Sequence, residues 1–282
     1  MAEPVLYVVA TPIGNIGDIS SRALEILCKV DLIAAEDTRN TGRLLSYFNI
    51  KSNLISVHDH NEIARSEFII SQLSAGKSIA LVSDAGTPLI SDPGYALVKR
   101  IREAGFTVTP IPGCCAFIAA LSAAGLPTDR FLFLGFLSSK KQSRLKQLHE
   151  LSDQAHTLVF YESTHRVLAS IADMIEVFGE SREVVVAREI TKKFETFKQG
   201  SLAEVLEWMV VDENQQKGEF VILVRGKTPS MKNEQELDSS TLNLLQRLSV
   251  ELPPKKASAI VSEVTGINKK LLYEYLLKRN TR

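Results

Sequence analysis

The segment I79-A-L-V-S-D-A-G-T-P-L-I-S-D-P-G94 joins a short apolar run to two Ser-Asp turns, each followed by a glycine. Four consecutive apolar residues predict a buried strand. The Gly, Pro, Ser and Asp that follow are typical of turns. The next segment, YALVKRIREA, has apolar residues at helical spacing. The stretch therefore predicts a strand, a polar loop and a helix.

The same strand, loop and helix pattern repeats through the first half of the chain. Each apolar run is followed by a polar break and then by an amphipathic segment. This alternation predicts a mostly parallel sheet covered by helices on both faces. The predicted strands are 6–10, 31–35, 54–57, 78–83 and 107–112.

A second set of elements follows Pro127, and we place a domain boundary there. The predicted domains are an N-terminal α/β domain at 1–126 and a second α/β domain at 127–226, then a polar linker at 227–240 and a basic helical extension at 241–282. In the extension, Pro253 and Gly266 are expected to break the helices. The second domain is predicted to hold strands 130–136, 156–162, 182–189, 194–200 and 218–226, with helices near 140–151, 165–178 and 202–210.

Composition excludes few function classes. Basic and acidic residues both number 33, so overall charge favours neither a nucleic-acid nor a membrane partner. The chain from Pro253 onward is different, with seven basic residues against Glu263 and Glu274. The three cysteines lack the spacing of a zinc site or a disulfide framework. With no apolar segment of membrane-spanning length and no leader pattern, we expect a soluble, cytoplasmic protein without a metal.

The polar loops of the first domain share one location, the carboxyl ends of its predicted strands. In an open parallel sheet, ligands bind in the crevice outside those ends. Any single loop could need its Gly, Pro, Ser and Asp only to turn and to cap a helix, but five such loops together favour a site. These loops are 11–15, 36–39, 58–60, 83–88 and 112–115.

Several familiar sites are absent from these loops. The sequence has no phosphate-binding P-loop, no G-x-G-x-x-G after the first strand and no G-x-S-x-G elbow. His58 and His60 flank Asp59, but this spacing without further ligands favours a hydrogen-bonded loop over a metal site.

Seven ordered segments across residues 5–226 resemble the tetrapyrrole methylase superfamily, and in particular its ribosomal RNA branch. The resemblance implies two α/β domains with S-adenosyl-L-methionine in the cleft between them, and a homodimer. It also implies methylation of the ribose 2′-hydroxyl of a cytidine in the decoding region of 16S rRNA, either free or in the small ribosomal subunit. The basic tail resembles the helical, helix-turn-helix-like extension of that branch. The segments are TPIGNIGDIS, AAEDTRNTGRLL, SDAGTPLISDPG, PGCCA, FYESTHR, AREITKKFE and GEFVILV.

The resemblance also implies which residues hold the cofactor. This sequence departs from the family pattern at Cys114 and Cys115, which replace Pro-Ser, and at Thr164, which replaces Pro. The thiol pair could instead be catalytic, although no histidine stands near it in a recognisable pattern. The expected cofactor residues are Pro12, Ile13, Gly14, Gly86, Thr87, Pro88, Ile90, Cys115, Ala116, Tyr161, Ala187, Gly218 and Glu219.

For catalysis we expect Asp37 or Asp84 close to the reacting hydroxyl, assisted by Arg39. Charged pairs such as Glu36 with Arg39, or Arg188 with Glu189, could equally be structural. Asp92 is expected to cap a helix rather than to react.

The basic residues near the predicted site and in the tail are the expected RNA contacts, because guanidinium and ammonium groups bind phosphate oxygens. The expected RNA contacts are Arg39, Arg166, Arg188, Lys192, Lys255, Lys256, Lys269 and Lys270.

Two other functions stay open on the sequence alone. The first is methylation of a tetrapyrrole, which would leave the basic tail without a role. The second is a non-catalytic RNA-binding protein, in which the α/β body is a scaffold. The tail itself could be either an RNA-docking module or a solvated helical hairpin.

Overall fold

The computed structural model describes residues 4–58, 61–227 and 239–280. The chain divides into two compact units, Met1–Gly226 and Lys227–Arg282. The first unit contains two five-stranded sheets, and the second is helical. None of the helices in the described ranges is long and apolar enough to cross a membrane.

The first sheet is entirely parallel, with the strand order β3-β2-β4-β1-β5. Strands β2 and β4 are buried along their whole length, as expected for a sheet covered on both faces. The prediction of a parallel α/β sheet is therefore confirmed. Its strands are β1 (Val5–Val9), β2 (Leu32–Ala35), β3 (Leu54–Ser56), β4 (Ile79–Val82) and β5 (Thr107–Ile111).

Helices pack on the two faces of this sheet in pairs. Helices α1 and α2 contribute to one apolar cluster, and α3 and α4 to a cluster on the opposite face. The first two helices each begin at a capping side chain. Ser20 caps α1, and Asp37 caps α2. The helices are α1 (Ser21–Lys29), α2 (Thr38–Tyr47), α3 (Glu62–Ser74) and α4 (Tyr95–Glu103).

The second sheet is mixed, with the strand order β6-β7-β10-β8-β9. Only the β6–β7 pair in this sheet is parallel. Helices α6, α7 and α8 cover one face, and α5 packs on the other. The elements are α5 (Ala116–Ala123), β6 (Phe131–Phe136), α6 (Lys141–Glu150), β7 (Thr157–Ser163), α7 (Val167–Phe178), β8 (Glu183–Arg188), β9 (Thr196–Ser201), α8 (Leu202–Val211) and β10 (Glu219–Val224).

Helix α5 links the two sheets. It follows the last strand of the first sheet, yet Ala120, Leu121 and Ala124 are buried against Val159 and Val221 of the second sheet. Both sheets consequently lie in one compact unit. The division of that unit at Pro127 stays a prediction.

In the part of the second unit that the structure describes, three helices form a cluster. Its helices are α9 (Ser239–Glu251), α10 (Pro254–Thr265) and α11 (Lys269–Asn280), separated at Pro253 and Gly266. Gly266 has φ 71°, the left-handed conformation that ends helices and favours glycine. The predicted linker lies mostly outside the described residues, and its positions 239 and 240 already belong to α9.

Candidate functional site

The site begins where three neighbouring strands of the first sheet end. The loops after β1 and β4 are joined by two backbone hydrogen bonds, from Thr11 N–H to Gly86 O at 2.9 Å and from Gly86 N–H to Thr11 O at 3.0 Å. The loop after β5 is joined to them by Thr87, whose hydroxyl donates to Cys114 O at 2.9 Å. The three loops therefore form one continuous floor.

Two glycines let this floor pack closely. Gly86 has φ 83°, and a Cβ at this position would lie 3.3 Å from Ile13 Cγ2. A Cβ on Gly113 would lie 2.9 Å from Ala10 Cβ, closer than carbon atoms pack. A side chain at Gly113 would push the third loop away from the first.

A cavity of about 460 Å³ lies between this floor and one end of the second sheet. Its volume is in the range of small-molecule and cofactor sites. It is lined by Ile13, Ala85, Gly86, Thr87, Ile90, Ser91, Asp92, Cys115 and Ala116 from the first part of the unit, and by Phe136, Tyr161, Glu162, Ser163, Thr164, His165, Ile190, Gly218, Glu219, Phe220 and Val221 from the second.

The charged side chains that line the cavity, among the residues that the structure describes, include acidic groups and no Lys or Arg. The acidic groups are the carboxyls of Asp92, Glu162 and Glu219. Such a cavity suits a ligand that carries a positive charge and disfavours phosphate groups.

Two of these three carboxylates are already engaged. Glu162 is buried and accepts hydrogen bonds from the Ser170 hydroxyl at 2.5 Å and Ser163 N–H at 2.8 Å, and it pairs with Arg166 at 3.1 Å. Glu219 pairs with Lys192 Nζ at 2.9 Å. The third carboxylate, Asp92, has no ion-pair partner within the described ranges.

Thr164 fixes the backbone of Gly218 at the cavity wall. Its hydroxyl donates to Gly218 O at 2.8 Å and accepts from Gly218 N–H at 2.9 Å. Proline, the family residue at this position, has no hydroxyl and could make neither bond. The departure noted in the sequence therefore has a local function in this chain.

The phenol and thiol groups in and beside the cavity are uncharged at neutral pH. Burial raises the pKa of the Tyr161 phenol and of both thiols, Cys114 and Cys115. A nucleophilic cysteine needs the opposite shift, towards the thiolate. The structure thus argues against a catalytic thiol, and Cys115 instead contributes to the lining of the cavity.

Most of the residues expected to hold a cofactor line this cavity. Ile13, Gly86, Thr87, Ile90, Cys115, Ala116, Tyr161, Gly218 and Glu219 do so. Pro12, Gly14, Pro88 and Ala187 are not among the lining residues. Ala187 is fully buried in the core of the second sheet, and Gly14 packs against the Lys192 side chain. The sequence reasoning did not assign Ser91, Phe136 or Ile190 to the site.

The expected catalytic group lies at the adjacent rim and not in the cavity lining. Asp37 caps α2 and forms a two-pronged pair with Arg39, whose Nη2 lies 2.6 Å from Asp37 Oδ2. The hydrogen bond from Arg39 lowers the pKa of Asp37 to about 2, so Asp37 is a poor proton acceptor. Asp84 accepts hydrogen bonds from Asn40 Nδ2 at 2.9 Å and Asp37 N–H at 3.1 Å.

Asp92 is not the helix cap that the sequence suggested. The residue that precedes α4 is Gly94, with φ 125°, and no side chain caps this helix. Asp92 lies two residues earlier, half-buried in the cavity wall. Pro93 and Gly94 separate Asp92 from the first residue of α4, so the Asp92 side chain does not cap the helix.

The expected RNA contacts differ in how accessible they are. Arg188 does not fit its predicted role as an RNA contact. It is 7% exposed, and its guanidinium donates to Lys217 O at 2.7 Å, Phe194 O at 2.8 Å and Asn214 O at 2.9 Å. It holds loops together and cannot reach a phosphate. Lys192 pairs with Glu189 and Glu219.

Asp59 and His60, in the loop after β3, lie outside the described residues.

The remaining contacts present charge to solvent. Arg39 has a side chain that is 83% exposed although paired, and Arg166 is partly exposed beside Phe136. In the helical unit, Lys255, Lys256, Lys269 and Lys270 are all exposed.

Two protein-family models match this chain. Residues 5–206 match the family model described as tetrapyrrole (corrin/porphyrin) methylases. The chain belongs to the tetrapyrrole methylase family. Residues 235–280 match a second model, the RsmI C-terminal HTH domain.

Several curated members of the tetrapyrrole methylase family are similar over almost the whole chain. Each carries the name ribosomal RNA small subunit methyltransferase I. The protein of Escherichia coli O157:H7 is 52% identical, covering 97% of this chain and 95% of its own. That of Vibrio cholerae is 51% identical, covering 98% and 95%. That of Pseudomonas aeruginosa is 50% identical, covering 99% of both chains.

Two solved structures share the fold at low sequence identity. A uroporphyrin-III-C-methyltransferase from Thermus thermophilus has a TM-score of 0.56 at 18% identity, over 78% of this chain and 94% of its own. A cobalt precorrin-4 methyltransferase of cobalamin biosynthesis has a TM-score of 0.58 at 16% identity, with the same coverage. These structures confirm the predicted fold class, and the family model and the curated relatives confirm the predicted family.

Proposed function

We propose that this protein is an S-adenosylmethionine-dependent methyltransferase that methylates the ribose 2′-hydroxyl of a cytidine in the decoding region of small-subunit ribosomal RNA. The observation that carries the proposal is the half-identical match, over nearly the full length, to proteins named ribosomal RNA small subunit methyltransferase I. The helix-turn-helix family match of the tail adds a module suited to nucleic acid. The same proposal places the protein in the cytoplasm, with the ribosome.

The cavity fits the proposed cofactor. S-adenosylmethionine supplies a methyl group activated by a positively charged sulfur. The lining carries the carboxylates of Asp92, Glu162 and Glu219, of which Asp92 has no ion-pair partner within the described ranges. Gly86 and Gly218 let the protein pack closely around this cavity. We propose that Ile13, Thr87, Ile90, Ala116 and Tyr161 pack against the cofactor by van der Waals contact.

RNA would be held outside the cavity by cations at its rim and in the tail. Arg39, which is exposed, and Arg166, which is partly exposed and paired with Glu162, are the guanidinium groups of this set that solvent reaches in the first unit. Guanidinium groups bind phosphate oxygens by paired hydrogen bonds. The four lysines of α10 and α11 would add phosphate contacts from the second unit. The homodimer implied by the family stays a proposal, to be measured by sedimentation.

The proposal is tested by transfer of labelled methyl groups to assembled small ribosomal subunits, with free rRNA and a tetrapyrrole as parallel acceptors. We expect label in rRNA at one ribose, mapped by the resistance of the methylated linkage to alkali. Label in the tetrapyrrole alone would favour that substrate. Cofactor binding without transfer to any acceptor would contradict the proposal.

Gly218 gives a direct test of the cofactor site. A Cβ on Gly218 would lie 2.5 Å from Glu189 Cγ, and the Glu189 carboxylate is itself held by Lys192 and Glu219 N–H. We expect Gly218→Ala to displace this wall and weaken S-adenosylmethionine binding by about tenfold or more, equivalent to about 1.4 kcal/mol, measured by calorimetry.

Gly105→Ala is the matched control for that variant. Gly105 also has a positive φ, 86°, but a Cβ there meets nothing within 4 Å. Both variants should lose about 1–2 kcal/mol of stability through left-handed backbone. Equal cofactor affinity in the two variants would remove Gly218 from the binding wall.

A further inference from the structure

The loop between β8 and β9, residues 189–195, runs from the cavity wall to the surface of the first unit. Ile190 lines the cavity, and the Thr191 hydroxyl accepts a hydrogen bond from Asn15 N–H, in the loop after β1, at 3.1 Å. Phe194, four positions after Ile190, is 62% exposed. Since four residues span at most about 14 Å, the backbone of Phe194 lies close to the cavity.

The backbone of the β8–β9 loop is strained. Glu189 has φ 52° and Thr191 has φ 66°, the left-handed region that a β-branched residue such as threonine rarely enters. Such conformations persist only where their surroundings enforce them, and they concentrate at functional sites. Here Thr191 N–H donates to the Glu195 carboxylate at 2.6 Å, and Glu189 N–H donates to Glu219 O at 2.9 Å. These bonds hold the loop in one conformation.

The backbone of Phe194 is fixed from inside the unit. The buried guanidinium of Arg188 donates to Phe194 O at 2.8 Å, and the Thr196 hydroxyl donates to the same oxygen at 3.1 Å. Phe194 nevertheless remains exposed. A ring presented on fixed backbone loses little conformational entropy when a ligand covers it, so Phe194 is well placed to bind one.

A cation lies beside the exposed ring. Lys193 Nζ is 5.6 Å from the centroid of the Phe194 ring, and within the described ranges Lys193 has no ion-pair partner. The acidic side chains of the loop are engaged inside it, since Glu189 pairs with Lys192 and Glu195 accepts a hydrogen bond from the loop backbone. Proteins bind unpaired nucleic acid through this combination, in which an aromatic ring stacks on a base and cations attract the phosphates.

We propose that Phe194 stacks on an unpaired base of the RNA substrate, an inference that rests on the proposed function above. The base belongs to a nucleotide near the acceptor, because only a short stretch of chain separates Phe194 from the cavity wall. Every base has an aromatic face, so the contact holds the strand beside the cavity without reading its sequence. Lys193 attracts an adjacent phosphate.

Phe194→Leu is the first variant to measure, since leucine keeps an apolar side chain but has no ring. We expect its affinity for small ribosomal subunits, measured by co-sedimentation over a range of salt concentrations, to fall by about 10–100-fold. The slope of log affinity against log salt should keep its wild-type value, because the lost contact is not with a phosphate. Phe194→Trp keeps a stacking surface and should bind within about threefold of the wild type.

Tyr47→Leu is the matched control. Tyr47 is 63% exposed, close to the value for Phe194, but it is the last residue of α2, at the opposite end of that helix from Asp37. Its replacement should leave the affinity for ribosomal subunits unchanged. Neither Phe194 nor Tyr47 lines the cavity, so both variants should bind S-adenosylmethionine as the wild type does, measured by calorimetry.

The outcomes separate this inference from the proposed function. A wild-type protein that methylates no rRNA overturns both. An active wild type whose Phe194→Leu variant binds subunits equally well overturns the stacking contact alone. The contact is also overturned by a salt slope that shrinks with the affinity, by an equal loss in Tyr47→Leu, or by failure of Phe194→Trp to bind. A changed sedimentation coefficient of Phe194→Leu would overturn it too, because a second copy of the chain would then cover Phe194.

Discussion

Replacing Arg144 with alanine should destabilise the first unit by about 3–5 kcal/mol, the usual cost of leaving a buried charge without its partner. Arg144 and Asp173 join α6 to α7, and both side chains are 5% exposed. Two guanidinium nitrogens, Nε and Nη2, each lie 2.7 Å from Asp173 Oδ2, and Nη1 donates to Ser138 O at 3.1 Å. Without Arg144 the Asp173 carboxylate stays buried and loses its two strongest hydrogen bonds. Urea unfolding at pH 7 measures the loss.

Lys141 supplies the control, because it contacts the same carboxylate from the surface. Its Nζ lies 3.6 Å from Asp173 Oδ1, but its side chain is 63% exposed. Exposed pairs contribute about 0–1 kcal/mol, so Lys141→Ala should be close to neutral. Similar losses in Lys141→Ala and Arg144→Ala would show that burial does not set the strength of this pair.

Local patterns in the sequence predicted the fold well. The strands of the first sheet are short apolar runs between turn residues, and each appears where its run lies. The breaks at Pro253 and Gly266 are local too, since proline lacks a donor and glycine accepts left-handed backbone. Features set by neighbouring residues in the chain are those that one sequence can reveal.

Features set by distant residues were the ones that the sequence missed. Asp92 resembles a helix cap until the structure places it in the cavity wall, beside Ser83 of its own loop and Tyr161 of the second sheet. Arg188 resembles a phosphate contact, yet three carbonyl oxygens from later loops surround it. Neither burial nor hydrogen-bond partners can be read from residue type, because both depend on how the two sheets pack.

The lysines of the second unit are placed where they do not help its helices. Lys255 and Lys256 lie in the first turn of α10, and Lys269 and Lys270 in the first turn of α11. A helix N-terminus carries partial positive charge, so basic residues there are unfavourable and acidic ones are preferred. No acidic residue occupies either first turn. Phosphate groups at these positions would be attracted both by the lysines and by the helix ends.

Replacing these four lysines with alanine should therefore weaken rRNA binding strongly and selectively. Each phosphate contact contributes about 0.7–0.9 to the slope of log affinity against log salt, so the slope should shrink by about 3. We expect affinity at low salt to fall by about 100-fold, or about 2.7 kcal/mol, measured by filter binding over a range of salt concentrations.

The control for this variant changes the same number of charges in the first unit. Lys29, Lys51, Lys99 and Lys146 are also exposed, and Lys29 and Lys99 have acidic partners within their own helices. Their replacement by alanine should change the salt slope much less, and both variants should keep the wild-type affinity for S-adenosylmethionine. If the two variants lose affinity equally, the protein attracts RNA through its total charge, and the helical unit has no docking role. If neither loses affinity, the RNA is held by the rim of the cavity, where Arg39 is exposed and Arg166 is partly exposed.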